Sequence, residues 1–182
     1  MSLKYLPEHA QASVLALDLA KKEAAHLRYS QSTLFALPID LEWVQNLPQR
    51  PELAEKIEAF VSRFGRLQDH LGEKLLPRFA ALVGESKKTL LDTLAFAERV
   101  GVLANADAFI AARKLRNTLV HEYMHEARDF LEGLLVAEQA CKLLFQVIAQ
   151  VEAEFNRLGV PQEVSQEQRP RWSPSQHPTL QR

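Results

Sequence analysis

The chain has 182 residues, enough for one domain with a substantial core and no need of covalent staples. Hydrophobic residues make up 47%, charged residues 25%, and the net charge is −1. This excludes a protein that coats nucleic acid through bulk charge, but leaves room for a local phosphate site, because counterion release depends on the charges at the contact.

The lone Cys141 excludes an intrachain disulfide framework and a multi-cysteine zinc site. The opening MSLKYLPEHA lacks an apolar signal region, and no run approaches 18 uninterrupted apolar residues. The expectation is a cytoplasmic protein without membrane association.

Leu and Ala number 29 and 23, against 21 for Val, Ile and Thr combined. Leu and Ala favour helix and β-branched residues favour strand, so the balance predicts an all-α domain. A first helix is expected over about 7–35. Segment 37–50, with Pro38 and Pro48, reads as a connection. A long apolar stripe follows: Leu53, Ile57, Phe60, Phe64, Leu67, Leu71, Leu75, Phe79 and Leu82. Pro51 suits its first turn, where a missing N–H costs nothing. Gly65, Gly72 and Pro77 are expected to bend or break it. GESKKT at 84–89 lacks the first glycine of a phosphate loop and has no strand before it.

A shorter helix is predicted over about 89–100, closed by Gly101, and another over about 106–126 with Asn105 as N-cap and Asp107 in its first turn. The clearest periodicity comes last. Leu134, Ala137, Cys141, Leu144, Ile148, Val151, Phe155 and Leu158 step three and four residues apart until Gly159 and Pro161 stop the helix. Cys141 lies on this stripe and therefore reads as a packing residue. Segment 160–182 holds four of the nine prolines and five glutamines without an apolar face, the composition of a flexible tail. The predicted architecture is thus all-α: an up-and-down bundle of about five helices over 1–159, then a disordered Pro/Gln-rich tail over 160–182.

Chemistry concentrates in RNTLVHEYMH, residues 116–125. From His121 it reads H-E-x-x-H, the helical spacing by which two imidazoles share a zinc ion while the glutamate activates a bound water. His121, Glu122 and His125 meet that spacing. A third ligand has no motif of its own, Glu138 and Glu152 being merely available, and nothing in the chain reads as a strand.

From Arg116 the same stretch reads R-x4-H-x-Y. A histidine near neutral pKa can take the proton of a ribose 2′-hydroxyl, and an arginine can stabilise charge on the adjacent phosphate. The nucleophile then belongs to the substrate and no metal is required. Five positions separate Arg116 from His121 by about 140° around a helix. Asn117 shares the histidine's face and could orient it. Arg113, Asn117, His121, Met124 and Arg128 form one mostly polar stripe, while Leu115, Leu119 and Ala112 form the buried one. Arg116 lies between the two, so it must reach around the helix or act across a twofold axis, which would double the local positive charge. Spacing alone also fits a surface arginine and a histidine near a helix end.

RNTLVHEY, following the helical ADAFIAARKL, resembles the signature of HEPN-domain proteins, specifically HepT-like toxins. The resemblance spans roughly residues 5–159. It implies a homodimeric, metal-independent ribonuclease needing no cofactor, the toxin of a toxin–antitoxin pair, with a minimal nucleotidyltransferase as antitoxin partner. On this resemblance Arg116 and His121 carry the catalytic roles with Asn117 as their polar neighbour. Arg113, Lys114 and Arg128 are candidates for RNA-phosphate binding. Tyr123 matches the tyrosine such a partner silences by adding AMP, bulk and negative charge that would repel RNA. The tail after 160 lies outside the resemblance. Two other readings stay open: a HEPN partner that binds a nucleotidyltransferase without cutting RNA, and a zinc peptidase built on HEYMH.

Overall fold

The computed structural model describes residues 4–121 and 126–162, with side chains on the sixth helix as far as Leu119. Among the described residues there are seven α-helical segments and no strand: α1 (Pro7–Leu34), α2 (Leu41–Gln45), α3 (Pro51–His70), α4 (Leu76–Leu82), α5 (Leu90–Arg99), α6 (Ala106–His121) and α7 (Ala127–Leu158). The all-α bundle read from composition is the fold.

The long helices run antiparallel to their neighbours. On α1 and α3, Arg63 Nη1 donates to the carbonyl of His26 at 3.3 Å, and His70 Nε2 meets the carbonyl of Ala16 at 2.8 Å. On α1 and α7, the Arg28 guanidinium lies 4.0 Å over the Phe145 ring, and Lys21 pairs with Glu152 further along. One core fills the space between them, with Leu27, Ile57, Phe60, Phe64, Phe109, Phe130 and Phe155 fully buried.

Local signals place most ends. Pro51 starts α3, Thr89 caps α5 by accepting from Asp92 N at 3.1 Å, and Asn105 Oδ1 accepts from Ala108 N at 2.7 Å. Gly159 takes the left-handed cap at φ 74°, a conformation that costs a glycine little. Val160 is buried in the core beyond it, so the bundle reaches past residue 159.

Three expectations need correcting. The connection at 37–50 contains helix: Asp40 accepts from Trp43 N at 2.8 Å and starts α2, and a 3₁₀ turn, Leu47–Gln49, follows. The long stripe over 51–82 is helical throughout, and of its three expected weak points only the stretch at Gly72 and Pro77 departs from α geometry. Leu71–Leu75 form a π turn between α3 and α4, just before Pro77, which lacks the N–H that an α-helix would donate to the carbonyl of Glu73. Gly72 lies in that turn, where an added Cβ would sit 3.2 Å from Leu90 Cδ1, whereas Gly65 sits in uninterrupted helix.

Third, the motif helix does not run on to 126. Glu126 is extended at φ −135°, and α7 begins at Ala127. The reversal lets α7 pack back on α6, with Gly133 close to Leu115 and Leu119. That burial outweighs the local propensity to continue the helix.

Helix α7 is long and apolar enough to cross a membrane by length and composition alone. Its apolar stripe, however, from Phe130 through Leu134, Ala137 and Cys141 to Phe155, is buried against the rest of the bundle. The expected tail falls on 163–182, outside the described residues.

Candidate functional site

Helix α6 has two attachments to the bundle. Phe109, Ala112 and Leu119 enter the core, with Gln68 of α3 donating to the carbonyl of Phe109 at 3.3 Å. The second attachment is polar. Arg113 Nη2 lies 3.1 Å from Glu73 Oε1 and 3.9 Å from Asp69 Oδ1, and Arg116 Nη2 lies 3.5 Å from Asp69 Oδ2. Two guanidiniums of α6 thus face two carboxylates, one on α3 and one on the π turn.

Arg116 is held by α3. It crosses to α3 over Gly65, where an added Cβ would stand 2.7 Å from Arg116 Nε and 3.0 Å from its Cγ. The glycine is a notch that admits the arginine stem. Gly65 and Asp69 lie four residues apart on one face of α3, and Glu73 follows four further on in the π turn. Arg113 and Arg116 lie three apart on α6 and meet them in antiparallel register.

Beyond Arg116 the two helices open into a groove of about 600 Å³. Ile57, Val61 and Leu119 supply its apolar lining, and Arg66, Asp69 and Arg116 stand among its polar residues with Glu58 and Ser62. The arginine side chain keeps 36% exposure there. Arg116 Nη1 also reaches Asn117 Oδ1 at 3.4 Å, so the expected polar neighbour touches the arginine.

The remaining candidates are less gathered. His121 ends α6, five residues beyond Arg116, and its side chain lies outside the description, as do Glu122, Tyr123 and His125. Lys114 and Arg128 are exposed, and neither lines the groove. Of the two carboxylates available as a third zinc ligand, Glu152 is taken by Lys21. Among the described residues no group of three or more His, Cys, Asp or Glu is placed to hold a metal ion.

Sequence reasoning missed Gly65, Asp69, Glu73 and Arg66. A signal was present: a glycine inside a strongly apolar helical stripe, with acids four and eight residues on. It reads as a weak point of the helix until the arginines across from it are known.

Elsewhere, Glu23 of α1 is a partly buried carboxylate whose Oε2 lacks a hydrogen-bond partner among the described residues. Burial raises its pKa above the ordinary carboxylate range, opposed by the charges of His70, Arg66 and His26. The Cys141 thiol is pushed up to about 12, chiefly by burial and further by Glu138, which suits a packing residue and not a nucleophile.

Compared in turn with family models, curated proteins and solved structures, the chain finds no match.

Proposed function

We propose that the chain is a metal-independent endoribonuclease, the toxin of a toxin–antitoxin pair. It works as a homodimer opposed by a nucleotidyltransferase antitoxin, as its resemblance to HEPN proteins implies. The observation that carries this reading is the placement of Arg116: half-exposed in an open groove of an all-α bundle, on the same helix as His121.

The chemistry balances without a further reactant. His121 takes the proton of a ribose 2′-hydroxyl, the oxygen attacks the adjacent phosphorus as the bond from phosphorus to the 5′-oxygen breaks, and the leaving 5′-oxygen receives the proton back from the imidazolium. Products are a 2′,3′-cyclic phosphate and a 5′-hydroxyl end. Arg116 stabilises the charge that gathers on the non-bridging oxygens, and Asn117 orients its neighbours. Arg113, Lys114 and Arg128 provide further cations for the RNA backbone, and adenylylation of Tyr123 would place negative charge beside the site.

The test is cleavage of RNA by purified protein, free of AMP on Tyr123, in excess EDTA. Wild type is expected to cut, and His121→Ala and Arg116→Ala to lose about 10²-fold or more. Cleavage abolished by the chelator, with stoichiometric zinc bound, would instead support the peptidase.

A second reading has a specific observation in its favour. Arg113 and Arg116 already have Asp69 and Glu73 as counterions, so the patch carries little net charge to attract RNA. A binding module that holds a nucleotidyltransferase without cutting RNA fits that neutrality. Well-folded wild type that leaves RNA intact would favour it.

A further inference from the structure

The pairing of Arg116 with Asp69 is loose. Charge-assisted N–H···O bonds run at about 2.7–2.9 Å, while the guanidinium's contacts here are 3.5 Å to Asp69 and 3.4 Å to Asn117. Asp69 Oδ1 is buried with no hydrogen-bond partner among the described residues, and Arg113 Nη2 stands 3.9 Å from it. Both ions are therefore held by charge more than by hydrogen bonds.

The arginine stem, in contrast, is fixed. It lies in the notch at Gly65, and its head turns into a groove whose apolar wall of Ile57, Val61 and Leu119 weakens screening by water. A fork of fixed position with poorly used donors suits a tetrahedral oxyanion, which accepts two parallel N–H bonds.

We infer that Asp69 is the resident counterion of Arg116, occupying the place of an RNA phosphodiester, and that the groove between α3 and α6 takes one phosphodiester by exchange with this carboxylate. The inference rests on the ribonuclease reading for the identity of the anion. Arg66 stands on the same groove to receive a second oxygen or the next phosphate, and Arg113 remains balanced by Glu73 when Asp69 is released. The exchange makes affinity modest and selects for chains that present a phosphate inside the groove, over those that only touch the surface.

The test is binding of a fluorescent 2′-O-methyl oligoribonucleotide, which lacks the attacking hydroxyl and is not cut. Removing the competing carboxylate should tighten binding, whereas a carboxylate that merely braces Arg116 would weaken it when removed. Asp69→Asn is expected to bind about three- to fivefold more tightly than wild type, the scale of a partly exposed ion pair. The gain should vanish in Asp69→Asn/Arg116→Ala relative to Arg116→Ala.

Unchanged or weaker binding by Asp69→Asn with a wild-type melting curve overturns the proposal. So does a gain that persists without Arg116, which would be a general effect of surface charge. Should the asparagine variant fold poorly, Asp69→Ser must show the same sign. Intact RNA in the EDTA assay, together with a positive exchange here, rejects the nuclease reading and leaves the phosphodiester site standing.

Discussion

Helices α6 and α7 are adjacent in sequence and packed on each other, yet they attach to the bundle by different means. Along α7 an apolar stripe from Phe130 to Phe155 is buried without a break. The groove-facing flank of α6 meets α3 through two arginines, two carboxylates and a glycine notch. The apolar attachment tolerates any partner of the right shape and contributes stability in proportion to area. The polar one contributes little stability, because exposed and half-exposed ion pairs sum to about 0–1 kcal/mol each. What it supplies is position: it fixes where Arg116 points. Apolar burial and the arginine seat are thus carried by neighbouring helices.

The largest expected effect tests the apolar half. Phe155 is fully buried and stacks on Phe79 of α4 at a centroid distance of 6.4 Å. Phe155→Ala should cost about 3–5 kcal/mol, transfer and cavity terms combined, read as a lowered denaturant midpoint. A loss below about 1 kcal/mol would mean that α7 is not the central packing helix.

That half was also the more legible in sequence. A single helix whose partners are all apolar reveals its buried face through its own periodicity, and Leu134 to Leu158 did so down to the capping Gly159. The helix ends written as Pro51, Asn105 and Gly101 were legible for the same reason: each cap is local chemistry. The end of α6 at His121 was not, because it is decided by Leu115 and Leu119 meeting Gly133 on α7, a tertiary gain with no breaker residue to announce it.

The arginine seat was legible only in part. Arg116 and Asn117 were picked out by motif spacing, but Asp69 and Gly65 meet Arg116 from 47 and 51 residues away, and one helix's periodicity says nothing about such a pairing. Lys114 and Arg128 were grouped with Arg113 by proximity in sequence, and the folded chain does not bring them to the groove.

A middle-sized effect sharpens the contrast by reversing sign. Glycine to alanine inside a helix ordinarily stabilises by about 1 kcal/mol. At Gly65 the new methyl would collide with Arg116, so Gly65→Ala should gain nothing in stability and should lower kcat for RNA by about tenfold as the arginine is pushed off its seat. In an Arg116→Ala background the notch is empty, and the same substitution should recover its stabilisation of about 1 kcal/mol. The four denaturation curves of this cycle measure the coupling. Equal stabilisation in both backgrounds would show that the glycine is not there for the arginine.

The smallest effect comes from Glu23, a partly buried carboxylate whose Oε2 has no hydrogen-bond partner among the described residues. Its pKa in the folded chain is raised by burial, with His70, Arg66 and His26 opposing. An acid whose folded pKa lies above its unfolded one favours folding while it is protonated. Its contribution is therefore fully present below the unfolded value and lost as pH rises through the raised folded value. Glu23→Gln imitates the protonated form at every pH. The variant should melt slightly above wild type at pH 7 and together with it at pH values below the ordinary carboxylate range. If wild type is instead the more stable at pH 7, the charges of Arg66, His70 and His26 outweigh burial, and the seam between α1 and α3 favours the ionised carboxylate.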